Sequence, residues 1–421
     1  MNPRGRFKWS FFLVASLLLA IVSLAAAQDA TPPAPKAAPV VTELGESASP
    51  VANLNESEPN NGFNNADVMQ LGDVMSGNIG GPNDQDFFKI DVPDGIMVLI
   101  DVDAASLGSA LDPVICIYDS YQTEQKCVDD VDGLDPMIFM DFCGPGCSPG
   151  TPYYIRVRDY NYPNEGGAAY TYKLMIFPPL LVSAATGGKV AGISFTNADV
   201  LAHYDFADGT EKWMMFFDAS DVGITKNVVA LGTHDTYDFE IVLAANQMVN
   251  IEGTQQMATP FDVLRFDGWR PGHQIGPQTT GDFYFEYRGG NYGLSAASEK
   301  IDALTYSYFA STTGAATYNS GNAARDEDIF NLPYGYPTFV GANVPGLASE
   351  DVIAADWGWN PAGGFTEYYL TILGSGRVDG YRVTQKDIFT VNGNTNRVIG
   401  LYWNGPAHHF NYNIDAIDAG E

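Results

Sequence analysis

Apolar and polar residues alternate in short runs along most of this chain, and Gly, Pro, Asn and Asp bound the runs. In Tyr154-Ile155-Arg156-Val157-Arg158 the alternation puts Ile155 and Val157 on one face, as in a strand with one buried side. The same reading predicts strands over 87–92, 97–102, 114–118, 153–158 and 170–177. Short strands at this spacing, set between turn residues, predict a β-sandwich over 55–177.

From Val190 onward the pattern repeats. One strand type opens with Asp: Asp199-Val200-Leu201, Asp262-Val263-Leu264, Asp328-Ile329-Phe330 and Asp387-Ile388-Phe389, at spacings of 63, 66 and 59 residues. A second type recurs as Val228-Val229-Ala230-Leu231, Ile301-Asp302-Ala303-Leu304, Val352-Ile353-Ala354-Ala355 and Ile414-Asp415-Ala416-Ile417. Gly-apolar pairs, Gly223-Ile224, Gly293-Leu294 and Gly346-Leu347, precede three of these. Four repeats of this length, each with room for about four strands, have blade-like spacing. The last repeat stops near Ile417, and the strands it lacks stand at the start, near 192–204. Strands from the two ends of the segment would therefore close a ring, which removes exposed sheet edges. The expected fold is all-β, a jelly-roll-like β-sandwich followed by a four-repeat β-propeller-like domain over 190–421. A second β-sandwich is the alternative. The recurring Asp is expected to accept backbone N–H groups at a turn.

The remaining segments are of other kinds. Arg4, Arg6 and Lys8 precede an apolar run from Trp9 to Leu24 and the small residues Ala25-Ala26-Ala27, the form of a signal peptide over 1–27. A retained anchor is the alternative, and no other apolar stretch is long enough to span a bilayer. Residues 28–54, rich in Ala, Pro, Ser and Thr, read as a flexible linker. Pro178-Pro179 and Gly187-Gly188 bracket a second linker, 178–189.

The formal net charge of the whole chain is −30. Without residues 1–27, 18 Lys and Arg face 51 Asp and Glu, a net of −33. Such a charge repels nucleic acid and anionic membrane surfaces and suits a protein that holds divalent cations. Export implies an oxidising milieu, so Cys116, Cys127, Cys143 and Cys147 are expected to form two disulfides. The favoured pairing is 116–127 with 143–147. A four-thiolate zinc site is the rival, and its spacing lacks the paired short knuckles of zinc ribbons.

Glu56-Ser57-Glu58-Pro59-Asn60-Asn61 is followed by Asp84-Gln85-Asp86-Phe87-Phe88. Then come Leu111-Asp112-Pro113-Val114-Ile115-Cys116-Ile117-Tyr118-Asp119 and Gly150-Thr151-Pro152-Tyr153-Tyr154-Ile155-Arg156-Val157. This order resembles the bacterial pre-peptidase C-terminal domain family over about 120 residues. The resemblance implies a non-catalytic jelly-roll-like sandwich and a calcium site whose ligands would be Glu56, Glu58, Asn60, Asn61, Asp84 and Asp86. Hard oxygen donors of this kind suit calcium. Asn61 stands where such sites often carry Asp, which lowers the local negative charge.

No His-Glu-x-x-His, Gly-x-Ser-x-Gly, Walker or dinucleotide motif occurs. His408-His409, with Asp415 close in sequence, is the one histidine pair; a metal site or general base is the alternative, and a loop pair beside the aromatic strand Leu401-Tyr402-Trp403 is the favoured reading. Trp213 and Trp403 read as core. Trp357-Gly358-Trp359-Asn360-Pro361 reads as a loop, so Trp357 and Trp359 are the candidate ligand-binding aromatics. The expected function is a secreted or cell-envelope binding or adhesion protein for extracellular polysaccharide or protein. It would not insert stably in a membrane once the signal is cleaved. A secreted hydrolase and a structural surface component are the alternatives.

Overall fold

The computed structural model describes residues 53–90, 97–141, 151–206, 210–233, 238–268, 270, 273–305, 309–360 and 364–419. The signal peptide, nearly all of the first linker, Cys143, Cys147, Trp269 and the side chain of Trp359 lie outside the described residues.

Two five-stranded sheets build the first module. One has the order β1 (Asn53–Asn55), β3 (Val74–Asn78), β10 (Thr171–Phe177), β5 (Met97–Asp103), β8 (Met137–Asp141). The other runs β2 (Asp67–Met69), β4 (Asp86–Ile90), β9 (Tyr153–Asp159), β6 (Pro113–Tyr118), β7 (Glu124–Val128). Met75, Leu99 and Leu174 of the first sheet share one core with Phe88, Ile115, Ile155 and Val157 of the second. Ile155 and Val157 are fully buried, as their alternation requires. Cys116 and Cys127 stand directly opposite one another on β6 and β7 and are bonded.

The second module contains four sheets built to one plan. The first has the order β15 (Glu211–Phe217), β14 (Val200–Asp205), β11 (Leu180–Ala184), β34 (Ile414–Asp418). The next runs β16 (Val228–Thr233), β17 (Asp238–Leu243), β20 (Asp262–Asp267), β21 (Asp282–Arg288), and continues past β21 into β18 (Gln247–Ile251) and β19 (Thr254–Ala258). The third runs β22 (Ile301–Thr305), β23 (Phe309–Thr312), β26 (Ile329–Asn331), β27 (Tyr336–Phe339). The fourth runs β28 (Val352–Asn360), β29 (Phe365–Ile372), β32 (Asp387–Asn392), β33 (Arg397–Asn404). Between its second and third strand each repeat inserts a hairpin. These are β12 (Gly188–Val190) with β13 (Ile193–Phe195), and β18 with β19. The other two are β24 (Ala316–Thr317) with β25 (Ala323–Ala324), and β30 (Ser375–Val378) with β31 (Tyr381–Thr384). The repeat thus holds six short strands rather than the four expected. The additional pair turns on Ala191-Gly192, Glu252-Gly253 and Asp379-Gly380, all at positive φ, the geometry of tight hairpin turns.

The stretch 178–189, expected to be a linker, instead supplies β11, whose five residues are all buried. It pairs with β14 on one side and β34 on the other, so the first sheet joins strands from both ends of the repeat array. The boundary is also not a break in the core. Phe139 of β8 meets Phe216 of β15 edge-on at 4.6 Å, and Phe177 stacks on Tyr204 at 4.8 Å. Prolines and glycines marked the ends of a strand here rather than a spacer, because β11, Leu180-Leu181-Val182-Ser183-Ala184, is buried at every position and shows no alternation.

The recurring Asp does what its position predicts. Asp199, Asp262 and Asp387 each accept the backbone N–H and the hydroxyl of a Thr three residues earlier, Thr196, Thr259 and Thr384, at 2.7–3.0 Å. At Asp328 the residue three earlier is Arg325, which donates its backbone N–H at 3.3 Å and has no hydroxyl to add; the other carboxylate oxygen accepts the N–H of Gly341 at 3.0 Å. The carboxylate so closes the turn that leads into the third strand of every sheet.

The Gly-apolar pair has a fourth member that the sequence hides. Gly223, Gly293 and Gly346 have φ of 76°, 105° and 87°, and His409 occupies the same left-handed region at 60°. The residue after each, Ile224, Leu294, Leu347 and Phe410, is buried. A side chain in that region is strained where Gly is not. His409→Gly is therefore expected to raise the unfolding free energy by about 0.5–1 kcal/mol, read from urea denaturation. An unchanged or lowered midpoint would show that His409 is compensated by a contact of its own.

Candidate functional site

Three of the six residues of the acidic opening converge. Glu56 follows β1, Asp86 opens β4, and carboxylate oxygens of Glu56, Glu58 and Asp86 lie within 4.8 Å of one another. Tyr172 of β10 stands between two of them, its hydroxyl 2.5 Å from Asp86 and 3.0 Å from Glu56. The ring reaches that place across Gly77, where a Cβ would lie 2.2 Å from its Cζ. One phenolic proton cannot satisfy two carboxylates. Burial, then the Glu56 charge, pushes the Asp86 carboxyl up to about 9. Burial and the neighbouring Asp84 raise Glu58 as well. Asp86 Oδ1 and Asn60 Oδ1 are buried with no hydrogen-bond partner. A site with crowded carboxylates and orphaned oxygens lacks positive charge, which a hard cation supplies.

Asp84 and Asn61 are more committed. Asp84 accepts the N–H of Gly80 at 2.5 Å and of Gln85 at 3.1 Å, and Asn61 Oδ1 also accepts from Gln85. The residues that fit an oxygen-ligated ion are therefore Glu56, Glu58 and Asp86 at the centre. Asn60 follows Glu58 closely and donates its N–H to it at 3.1 Å.

A second feature lies where the inner strands of the four sheets begin. β16 packs beside β22 and β34, and β28 does the same. Each of these strands carries a bulge at its second residue: the register skips Val229, Asp302, Ile353 and Asp415. The cause repeats too. The residue just after each second strand, Ala244, Thr313, Leu373 or Ala185, donates its N–H to the carbonyl just before the inner strand, at 2.8–2.9 Å. That bond takes the place of the bulged residue in the ladder and turns its side chain out of the sheet. All four bulged residues line one cavity of about 220 Å³, with Lys300, Asp351 and Gln385 at its wall.

Three carboxyls of this cavity are perturbed. Both oxygens of Asp302 are buried without a hydrogen-bond partner, and burial followed by the Asp351 charge holds it far above the usual range. The Thr313 hydroxyl, which donates to the Lys300 carbonyl, offsets little of this. Burial and then Asp326 raise Asp351 to about 7. Asp415 is raised by burial, against a hydrogen bond from Asn227.

Two histidines far apart in sequence come together. His203 of β14 and His408, in the turn Gly405–His408 after β33, both face Asp205 and Glu211 at 3.2–3.5 Å. Asp415, the expected companion of His408, instead lines the cavity. Sequence distance hid this group, because His203 and His408 belong to the first and the last sheet.

Trp357 and Trp359 were expected in a loop, and the structure places both on β28, opposite Tyr368 and Thr366. The paired strand follows from the long apolar repeat segment that precedes them. Trp357 is half-buried, edge-on to Phe309 at 6.4 Å, and its Nε1 is buried without a partner. Trp213 and Trp403 fill one core with Phe410, as read from their strands.

No family model matches this chain, and no curated protein matches it. Among solved structures, the pre-peptidase C-terminal domain of a collagenase from Bacillus anthracis is similar, at 17% identity and a TM-score of 0.21. The match covers 26% of this chain and 93% of that one. Among the described residues no helix is long and apolar enough to cross a membrane.

Proposed function

We propose that this chain is an extracellular binding protein. A calcium-steadied, jelly-roll-like β-sandwich carries a four-bladed, propeller-like ring of sheets. The ring's axial cavity takes one hydroxyl- or amine-bearing group, a sugar ring or a side chain, from an extracellular polysaccharide or protein. The observation that carries this reading is the fourfold bulge that turns Val229, Asp302, Ile353 and Asp415 into a single cavity. The cyclic neighbourhood of β34, β16, β22 and β28 supports the ring, as does a first sheet made from both ends of the array.

The cavity's chemistry fits the ligand class. Its volume falls below the roughly 300–1,000 Å³ of sites for drug-sized ligands, which suits one ring or side chain. Apolar walls from Val229, Ile353 and Leu373 give a sugar or alkyl face something to lie on. Asp302 has unused oxygens that bind a hydroxyl or an ammonium group, and its cost of burial falls when it does so. In the first module calcium would be held by Glu56, Glu58 and Asp86. It would supply the positive charge that fixes the acidic segment to β4.

One observation favours a second reading, hydrolysis. Asp351 lies near neutrality beside Asp302, as a general acid would. A panel of polysaccharides and matrix proteins separates the two. The mature protein is expected to bind at least one member without releasing fragments, and Asp302→Asn to weaken that binding by about tenfold or more, roughly 1.4 kcal/mol. Fragments released by the wild type and not by Asp351→Asn would establish the hydrolase. Neither binding nor release would end both readings.

A further inference from the structure

His203, Asp205 and Glu211 come from adjacent strands. His203 and Asp205 are two apart on β14, on one face, and Asp205 pairs directly with Glu211 of β15. His408 reaches the same point from the turn after β33, in the fourth sheet. His203 Nε2 lies 3.4 Å from Asp205 Oδ1 and 3.3 Å from Glu211 Oε2. His408 Nδ1 lies 3.2 and 3.5 Å from the same two oxygens.

These distances are informative. Charge-assisted N–H···O bonds settle at about 2.7–2.9 Å. In this chain Lys212 to Asp103 spans 2.9 Å and Arg270 to Asp267 2.7 Å, while the shared contacts of Arg265 with Asp238 and Glu286 span 3.3 and 3.2 Å. The histidine contacts span 3.2–3.5 Å. The four lie close to the edge length of a tetrahedron, in which atoms about 2.0–2.2 Å from a central ion stand roughly 3.3–3.6 Å apart, and all four ligand atoms lie within 4.8 Å of one another. Proton counting agrees, since each imidazole presents one nitrogen to two acceptors and cannot serve both.

We propose that His203 Nε2, Asp205 Oδ1, Glu211 Oε2 and His408 Nδ1 bind one divalent transition ion of the zinc class. Imidazole donors select such ions over calcium and magnesium. Two carboxylates and two neutral imidazoles make the loaded site electrically neutral. Its shell is aromatic: the Trp213 ring lies 4.4 Å from His203, and Trp403 stacks on His408 at 5.5 Å with planes 7° apart. Four protein ligands leave no open position, so the ion is structural. It clasps the first sheet to the fourth, at the seam where the array meets its own beginning. This site is independent of the calcium cluster and of the axial cavity.

The test is a Co²⁺ and Zn²⁺ titration of chelator-treated mature protein in excess Ca²⁺. One equivalent of Co²⁺ is expected to give the intense visible bands of four-coordinate cobalt, displaced by Zn²⁺, and Zn²⁺ to raise Tm. His408→Gln, at a partly exposed turn, is expected to weaken binding by a hundredfold or more and abolish the bands while its metal-free Tm stays near that of the metal-free wild type. His273→Gln, away from the cluster, is expected to change nothing. A pale six-coordinate spectrum, no saturable binding, or bands that survive in both His408→Gln and Asp205→Asn would overturn the site.

Discussion

Lys212→Met is expected to lower the unfolding free energy by about 3–5 kcal/mol, the cost of stranding a buried charge. Lys212 leaves β15 and ends between Asp101 and Asp103 of β5, so one ammonium joins the two modules. Asp101 is 3% exposed, and burial raises its carboxyl to about 6 even with Lys212 beside it. Without the ammonium it must be protonated or hydrated at a site built for neither. The pH dependence follows from the direction of that shift. A carboxyl whose folded pKa exceeds the ordinary value binds more protons when folded, so its contribution falls as pH rises through the window between the two. In the wild type that window runs from about 4 to 6. In Lys212→Met it extends upward, so the loss should be smaller at pH 5 than at pH 8. Lys212→Met with Asp101→Asn should recover much of the stability, because no charge is then stranded. Urea unfolding at the two pH values measures all of this. A single variant within about 1 kcal/mol of wild type at both would show that the Lys212 pair adds little to the junction, which Lys126 also bridges through the Gly268 carbonyl.

The second large effect is on calcium. Ca²⁺ at a hundred times its dissociation constant is expected to stabilise the mature protein by about 2.7 kcal/mol, and chelation to remove the gain. Glu58→Gln should lose the response. Asp86→Asn should separate two quantities usually confounded. It removes a carboxyl crowded by Glu56, so the calcium-free protein should be more stable than calcium-free wild type, while the calcium response disappears. Calorimetry with Ca²⁺ and with chelator decides it. Equal melting in both for the wild type, or a full response in Glu58→Gln, would remove calcium from the account.

Legibility in the sequence followed the range of the interaction. Strands with regular alternation, such as β9, were readable because burial on one face writes itself at every second residue. The recurring Asp was readable because its partner lies three residues away. The cross-strand cysteine pair Cys116–Cys127 was readable for the same reason, with only a turn between its members. β11 was not, since a strand buried on both faces has no alternation and its flanking Pro and Gly pairs mimic a spacer. The histidine cluster was hidden by the greatest distance, with His408 of the fourth sheet's last turn brought to Asp205 and Glu211 of the first sheet. The bulged residues were visible as a repeated strand. Their common cavity was not, because Val, Asp, Ile and Asp share a place in the ladder rather than a chemistry.

The pairing of β11 with β34 has a consequence for how the chain matures. Residues 181–184 wait for residues 414–418, so the first sheet lacks its inner member until nearly the whole array has been synthesised. Contacts so far apart in sequence form slowly, since a long loop must close before they repay its entropy. Until then β11 has β14 on one side and an open edge on the other, a largely apolar strand waiting for its second partner. Pairing of the last strand covers that edge and completes the sheet.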